Sequence, residues 1–152
     1  MHAVLAALTG SHRLLHRASG GRLGRRFPGG QQVVWVDTLG RRSGRWRRTP
    51  LLAVRDGSPG TRAPYLVAGS NAGQAKVPDW VRNMREHPNG FLEVDGVHWQ
   101  VHFEEVAGVE RDALYGRLVA DWAAFAGYAR RAGRCIPVFR IRLDAPVSPP
   151  SG

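Results

Sequence analysis

Apolar positions fall along this chain in two registers, one strand-like and one helical, and their order predicts its architecture. Val33-Val34-Trp35-Val36 and Leu51-Leu52-Ala53-Val54 are short apolar runs bounded by turn residues, as expected of buried strands. A third strand, Tyr65 to Ala68, follows the long loop Asp56 to Pro64. Pro78 then suits the first turn of a helix, Trp80 to His87, which Pro88-Asn89-Gly90 ends. Phe91 to Val94 and Val97 to Val106 read as a hairpin across Asp95-Gly96, a pair that favours a type I′ turn. In its second arm Val97, Trp99, Val101 and Phe103 are expected on the core face, with His98, Gln100, His102 and Glu104 opposite. His98 and His102 would stand about 13 Å apart at 3.3 Å per strand residue, too far to chelate one metal.

From Val109 to Arg131 the period becomes helical, with Leu114, Leu118, Trp122, Phe125 and Ala129 three or four apart on a stripe that faces the sheet. Gly133 ends this helix pair. Ile136 to Leu143 is a last strand, and the Pro/Ser/Gly stretch 146–152 is expected to be a disordered tail. Residues 3 to 17 read as a short amphipathic helix with Leu5, Leu8, Leu14 and Leu15 on its apolar side, and a basic glycine-rich loop is expected to carry the N-terminal segment to residue 30. Helix, three strands, short helix, hairpin, helix pair and strand in that order predict an α+β fold built on a small antiparallel barrel, residues 31 to 145.

With 152 residues and 43% apolar content, the chain can bury one core and is read as one globular domain. Its single cysteine, Cys135, excludes an internal disulfide and fits a reducing, cytoplasmic setting. No apolar run reaches the roughly 20 residues that a membrane-spanning helix needs, and the N-terminus lacks a signal-peptide pattern. Residues 3 to 17 could still lie on an anionic membrane surface, or simply pack on the domain. Charge sharpens the picture by its placement. The whole net charge of +10 sits in residues 1 to 62, where 12 arginines face only Asp37 and Asp56, while the remainder balances to zero.

The densest part of that charge is Arg41-Arg42-Ser43-Gly44-Arg45-Trp46-Arg47-Arg48, the connection between the first two strands. Gly40 and Gly44 allow positive φ and outward-facing N–H groups, Ser43 adds a hydroxyl, and five arginines supply charge, so the turn suits a phosphate or a polycarboxylate. A solvated surface loop has the same composition. Arginines interleaved with Trp46 on a small barrel would also fit a single-stranded nucleic acid. That reading leaves the segments around Ser70 and from Lys76 to Asn83 without a purpose, so no nucleic-acid partner is expected.

Several segments in order carry a more specific signal. Leu39-Gly40-Arg41-Arg42-Ser43-Gly44, Arg47-Arg48-Thr49-Pro50-Leu51, Ala68-Gly69-Ser70-Asn71-Ala72-Gly73, then Lys76, Pro78, Trp80, Asn83 and Pro88 resemble the deazaflavin-dependent nitroreductase family. Its members are F420H2-dependent quinone and nitro reductases with a split β-barrel, and the likeness runs over about residues 14 to 143. The resemblance implies that Arg41, Arg42 and Ser43 hold the phosphate and acidic tail of coenzyme F420, beside a wall formed by Arg47, Arg48, Thr49, Pro50, Leu51 and Leu52. It further implies that Ala68, Gly69, Ser70 and Asn71 run along the deazaflavin ring, and that Asp79, Trp80, Val81, Arg82 and Asn83 close over it. FMN is the alternative ring cofactor, since split barrels accommodate either.

Nitro-drug-reducing members of the family line the substrate pocket with three tyrosines, spaced three apart, and a serine. Here Ser70 matches the serine, while Trp122, Phe125 and Tyr128 stand at the tyrosine positions. This drier aromatic set suits a flat quinone better than a nitro-drug, or it is helix-on-sheet packing. The implied activity is hydride transfer from reduced deazaflavin to a small electron acceptor, a quinone or nitroaromatic-like molecule, with Ser70 and Tyr128 in the polar role at the acceptor. A protein that only stores or delivers F420 would carry the same cofactor motifs.

Overall fold

The computed structural model describes residues 29–58 and 61–148. Six strands form one closed antiparallel barrel: β1 (Gln32–Leu39), β2 (Trp46–Arg55), β3 (Tyr65–Ala68), β4 (Asn89–Val94), β5 (Val97–Val106) and β6 (Val138–Val147). The order around the barrel is β1-β2-β3-β6-β5-β4, with β4 pairing back onto β1 through Trp35 and Glu93. Among the described residues three α-helices accompany it: α1 (Asp79–Glu86), α2 (Gly108–Asp121) and α3 (Ala124–Ala132). This is the small antiparallel split barrel with flanking helices that the sequence predicts.

Strand alternation produces two apolar layers. Val34, Val36, Val67, Leu92, Val101, Phe103, Phe139 and Ile141 point into the barrel. Trp80, Val81 and Met84 of α1 join them, so this helix plugs one end of the barrel with its apolar side. The second layer lies outside, where Leu66, Ala68 and Val138 meet Leu114 and Leu118 of α2 and Phe125, Tyr128 and Ala132 of α3. Both faces of β3 are therefore covered, which is why its four residues are all buried and apolar. Burying a Leu or Phe side chain in such layers contributes about 1.5–3 kcal/mol each.

The hairpin turn Asp95-Gly96 has positive φ at both residues, 51° and 83°, as a type I′ turn requires. Gly133 caps α3 in the left-handed conformation.

Four expectations need correction. First, β2 starts at Trp46, five residues before the apolar run, because Arg47, Arg48 and Thr49 pair with Thr38, Asp37 and Val36 and so inherit strand geometry from β1. Second, β6 runs on to Val147, so Pro146 and Val147 are strand and not tail. Beyond Ile141 β6 has only β5 as a neighbour, and a residue without an N–H fits there. Third, Val97 does not share the core face of β5 with Trp99, Val101 and Phe103, since it is 46% exposed beside the Asp95-Gly96 turn. The bulge in the β5–β6 pair lies on β6, where Gln100 pairs with Ala145 and Val101 with Leu143, leaving Asp144 unopposed. Fourth, the helical stripe from Val109 to Arg131 does not continue unbroken, since Trp122 leaves helical geometry at φ −142° and the chain turns before α3. The predicted helix at residues 3–17 and its basic loop up to residue 28 lie outside the described residues, as does the end of the tail, 149–152.

Candidate functional site

The site begins with the turn between β1 and β2. Gly40 N–H donates to the Arg45 carbonyl and Gly44 N–H to the Gly40 carbonyl, both at 2.8 Å, which folds Gly40–Arg45 into a tight loop. A Cβ on Gly40 would stand 2.5 Å from Ser43 Oγ and 3.0 Å from the Arg45 carbonyl oxygen, so a larger residue would require the Ser43 hydroxyl and the turn backbone to shift. The Ser43 hydroxyl accepts from the Arg45 N–H at 3.3 Å. Arg42, Ser43, Arg45, Trp46 and Arg47 are exposed.

Arg41 turns inward instead and ties the loop to α1. Its backbone N–H and its Nη1 both donate to Asn83 Oδ1, at 3.2 and 3.1 Å, and Nη2 reaches Asp79 Oδ1 at 3.2 Å. Asn83 Nδ2 in turn donates to Thr38 Oγ1 at 3.3 Å, in a buried contact that fixes the orientation of the amide. Turn, β1 and helix are thereby held in one polar network. The hydrogen bond from Arg41 holds the Asp79 carboxyl below the usual carboxylate range.

Between turn and helix lies an open groove of about 580 Å³, lined by Gly40 to Ser43, Trp46 to Thr49, Asp79, Trp80 and Asn83. Trp80 anchors the helix in the barrel, edge-on to Phe139 at 6.1 Å. Trp46 stands half-exposed at the rim, braced edge-to-face by Phe91 at 5.2 Å. The arginines divide into two sets. Arg41 and Arg48 are committed to protein partners, Arg48 donating to Asp37 at 3.0 Å and to Glu93. Arg42, Arg45 and Arg47 make no ion pair among the described residues. These three are the cations available to an anionic ligand. Asp37, though paired with Arg48, has its carboxyl pushed up by burial.

The remaining sequence-predicted residues lie elsewhere. Pro50, Leu51 and Leu52 continue along β2 away from the groove, with Leu51 against the barrel interior and Leu52 against the helix layer. Ala68, Gly69, Ser70 and Asn71 form the end of β3 and a short 3-10 turn, Asn71–Gly73. Gly69 links this segment to the groove helix: a Cβ there would meet Val81 Cγ2 at 2.6 Å. Val81 itself faces the barrel interior. Arg82 is half-buried on α1.

Trp122, Phe125 and Tyr128 form a mutually edge-on aromatic cluster, with centroids 5.6 to 6.4 Å apart. None of them, nor Ser70, lines the groove. Phe125 and Tyr128 belong to the packing layer between α2, α3 and the barrel, and burial pushes the Tyr128 phenol above its ordinary value. The cluster nevertheless adjoins the Ser70 segment, since a Cβ on Gly73 would be 3.3 Å from Tyr128 Cα. The structure thus brings together two pairs of segments: the basic turn with α1, and the Ser70 loop with α3.

Sequence does not single out Thr38 or Trp46 for the cofactor site, and its expectation that Gly40 and Gly44 take positive φ with outward-facing N–H groups holds only for the φ of Gly44, 62°, because both N–H groups bond within the turn. Trp46 had a visible signal, an aromatic residue within the arginine run, which also suited nucleic-acid stacking. Thr38 had none, because its role depends on facing Asn83 across 45 residues.

Fold and groove together define a split-barrel protein with a groove lined by arginines and two tryptophans. The chain belongs to the F420H(2)-dependent quinone reductase family, whose model matches residues 10–142. It is accordingly an oxidoreductase whose cofactor is coenzyme F420. Over 130 residues it is 28% identical to the F420H(2)-dependent quinone reductase Rv1261c of Mycobacterium tuberculosis (strain ATCC 25618 / H37Rv), covering 84% of each chain. Over 121 residues it is 29% identical to the putative F420H(2)-dependent quinone reductase Rv3178 of the same strain, covering 80% of this chain and 98% of the relative. Among solved structures, an F420-H2 dependent reductase, FDR-A, superposes with a TM-score of 0.62 at 27% identity, over 72% of this chain and 93% of that one.

Proposed function

We propose that this enzyme passes a hydride from F420H2 to a quinone or a similarly flat acceptor, with the cofactor's anionic end in the groove between the basic turn and α1. The observation that carries the reading is the division of the arginines: Arg41 builds the groove wall, while Arg42 and Arg47 line it without ion pairs among the described residues and Arg45 stands exposed in the same turn. A phosphodiester followed by an oligoglutamate tail is a ligand such a set can hold by charge-assisted hydrogen bonds. When bound, F420H2 supplies the hydride; the chain's residues position, shield and polarise.

Asn83 and Arg41 fix the groove wall, and Trp80 presents an aromatic edge at its floor. Ser70, 7% exposed and joined to α1 through Gly69, is the proposed hydrogen-bond donor to the acceptor oxygen as negative charge develops there. Tyr128, with its phenol pushed up by burial, stays neutral and serves in the aromatic wall, with Trp122 and Phe125 beside it, and the final proton comes from solvent. The aromatic character of that wall favours a quinone over a nitroaromatic acceptor. No helix among the described residues is long and apolar enough to cross a membrane. A surface contact through residues 3–17, beside a cytoplasmic location, would bring the enzyme to membrane-dissolved quinones.

Steady-state oxidation of F420H2 with menadione and with a nitroaromatic compound tests the reading. Turnover with menadione and little with the nitro compound is expected. A parent that binds F420 tightly yet reduces no acceptor would support a storage protein instead, and one that prefers single-stranded DNA to F420 would remove the reading altogether.

A further inference from the structure

Arg134 follows Gly133, the cap of α3, and does not line the groove. Its guanidinium collects the carbonyl oxygens of the Ser70 loop. Nη2 lies 3.0 Å from the Gly69 oxygen, 3.4 Å from Ser70, 3.2 Å from Gln74 and 3.4 Å from Lys76, and Nε donates to Ala75 at 3.0 Å. Nη1 reaches the Cys135 carbonyl at 3.4 Å. Among the described residues no carboxylate pairs with it. A planar fork of five N–H groups can serve several carbonyls at once, which a lysine ammonium, with three donors at one point, cannot.

The loop needs such a hold. Asn71, Ala72 and Gly73 succeed one another with φ of 47°, 53° and 83°, and the left-handed region is unfavourable for an alanine. Within the loop the Asn71 side chain donates to the Gln74 side chain and to the Lys76 carbonyl, at 3.0 and 3.1 Å. From outside, α3 presses on it, with Arg131 Nε 2.9 Å from where a Gly73 Cβ would be. The two ends of the loop matter for the site. Gly69 packs on Val81 of α1, and Lys76 leads through Pro78 into Asp79, the first residue of that helix. Releasing the loop would therefore loosen Ser70 and the start of the groove helix together.

We propose that Arg134 is a positioning residue for hydride transfer: it holds the strained loop 69–76 so that Ser70 and the N-terminal turn of α1 keep their places at the reacting ring. The proposal rests on the reading that Ser70 lies beside the acceptor. It acts through main-chain carbonyls and touches neither cofactor nor substrate.

The test compares Arg134→Lys and Arg134→Ala with the parent in the full chain, by amide hydrogen exchange of residues 70–76 without cofactor, by F420 titration, and by kcat and KM with menadione. In both variants exchange in the loop should quicken by about tenfold or more, as local opening becomes easier. Cofactor affinity, set mainly at the basic turn, should stay within about threefold, while kcat falls by about tenfold or more. Free guanidinium at millimolar concentration should restore part of kcat in Arg134→Ala and none in Arg134→Lys, where the ammonium fills the space. A merely structural role would lower the folded fraction without this rescue and without the split between affinity and kcat. If Arg134→Ala does not fold, Arg134→Lys alone decides. Unchanged exchange in the loop overturns the hold itself; faster exchange with unchanged kcat overturns the positioning role and places the fault with the location of Ser70.

Discussion

Replacing Asn83 with alanine should separate the basic turn from the helix that faces it. The side chain accepts two hydrogen bonds from Arg41 and donates one to Thr38, whose side chain lies on a residue with no exposed surface. Each neutral bond contributes about 1 kcal/mol net, the charged one about 1.5–3, and an orphaned buried hydroxyl adds its own desolvation cost. Because the three bonds share one side chain they do not add fully, so the expected loss is about 2–4 kcal/mol. For a chain of this length each kcal/mol lowers the unfolding midpoint by about 2–4 °C, which gives a drop of about 5–15 °C by circular dichroism. Arg41→Ala is the informative control. It keeps the backbone N–H bond to Asn83 and leaves the Thr38 contact alone, but breaks the charged Nη1 bond to Asn83 together with a bridge whose carboxylate is 62% exposed, so its cost should be about 1.5–2 kcal/mol, below that of Asn83→Ala. Midpoints within about 2 °C of the parent for Asn83→Ala, or equal losses for the two variants, would refute the idea that Asn83 is the joint.

Three further outcomes follow from the same geometry. Asp79→Asn removes the carboxylate that competes for Arg41, so F420 should bind about two- to fivefold tighter in a fluorescence titration, the equivalent of a surface ion pair; weaker binding would mean that Asp79 itself contacts the cofactor. Ser70→Ala should leave F420 affinity within about threefold but slow turnover with menadione by about 30- to 1000-fold, whereas Tyr128→Phe should cost less than about fivefold; the reverse ranking would make Tyr128 the proton source. Burial pushes the phenols of Tyr115 and Tyr128 above 10.0, so the folded chain keeps protons that the unfolded chain releases, and stability should fall as pH rises past that value. Tyr128→Phe should make that decline shallower by up to about 1.4 kcal/mol per pH unit, measured by denaturant unfolding across the alkaline range.

Much of the architecture was legible because its signals are local. The Asp95-Gly96 turn, the Gly133 cap and the alternation of Val34 and Val36 need only their neighbours. The corrections to the strand bounds arise from partners distant in sequence. Arg47 to Thr49 are strand because β1 lies alongside, and Pro146 is strand because β5 extends that far. The site divides in the same way. Its charge could be read from residues 40 to 48, but which arginines are spoken for could not, since Arg41 is committed by Asn83 and Asp79, and Arg48 by Asp37 and Glu93. Arg134 shows the limit most plainly, for its acceptors are main-chain oxygens 58 to 65 residues away and carry no side-chain signature.

The account turns on the groove arginines that have no ion pair, and equilibrium titration of F420 into the parent and into Arg42→Ala/Arg47→Ala tests it most directly. These two side chains hold nothing else together among the described residues, so the variant should melt with the parent. Its F420 affinity should fall by about 2–4 kcal/mol, roughly 30- to 1000-fold, and the difference should shrink at high salt. FMN, which lacks the oligoglutamate tail, should bind weakly to both. Equal F420 affinity in parent and variant, at matched folding and low ionic strength, would contradict the assignment of the cofactor's anionic end to this groove.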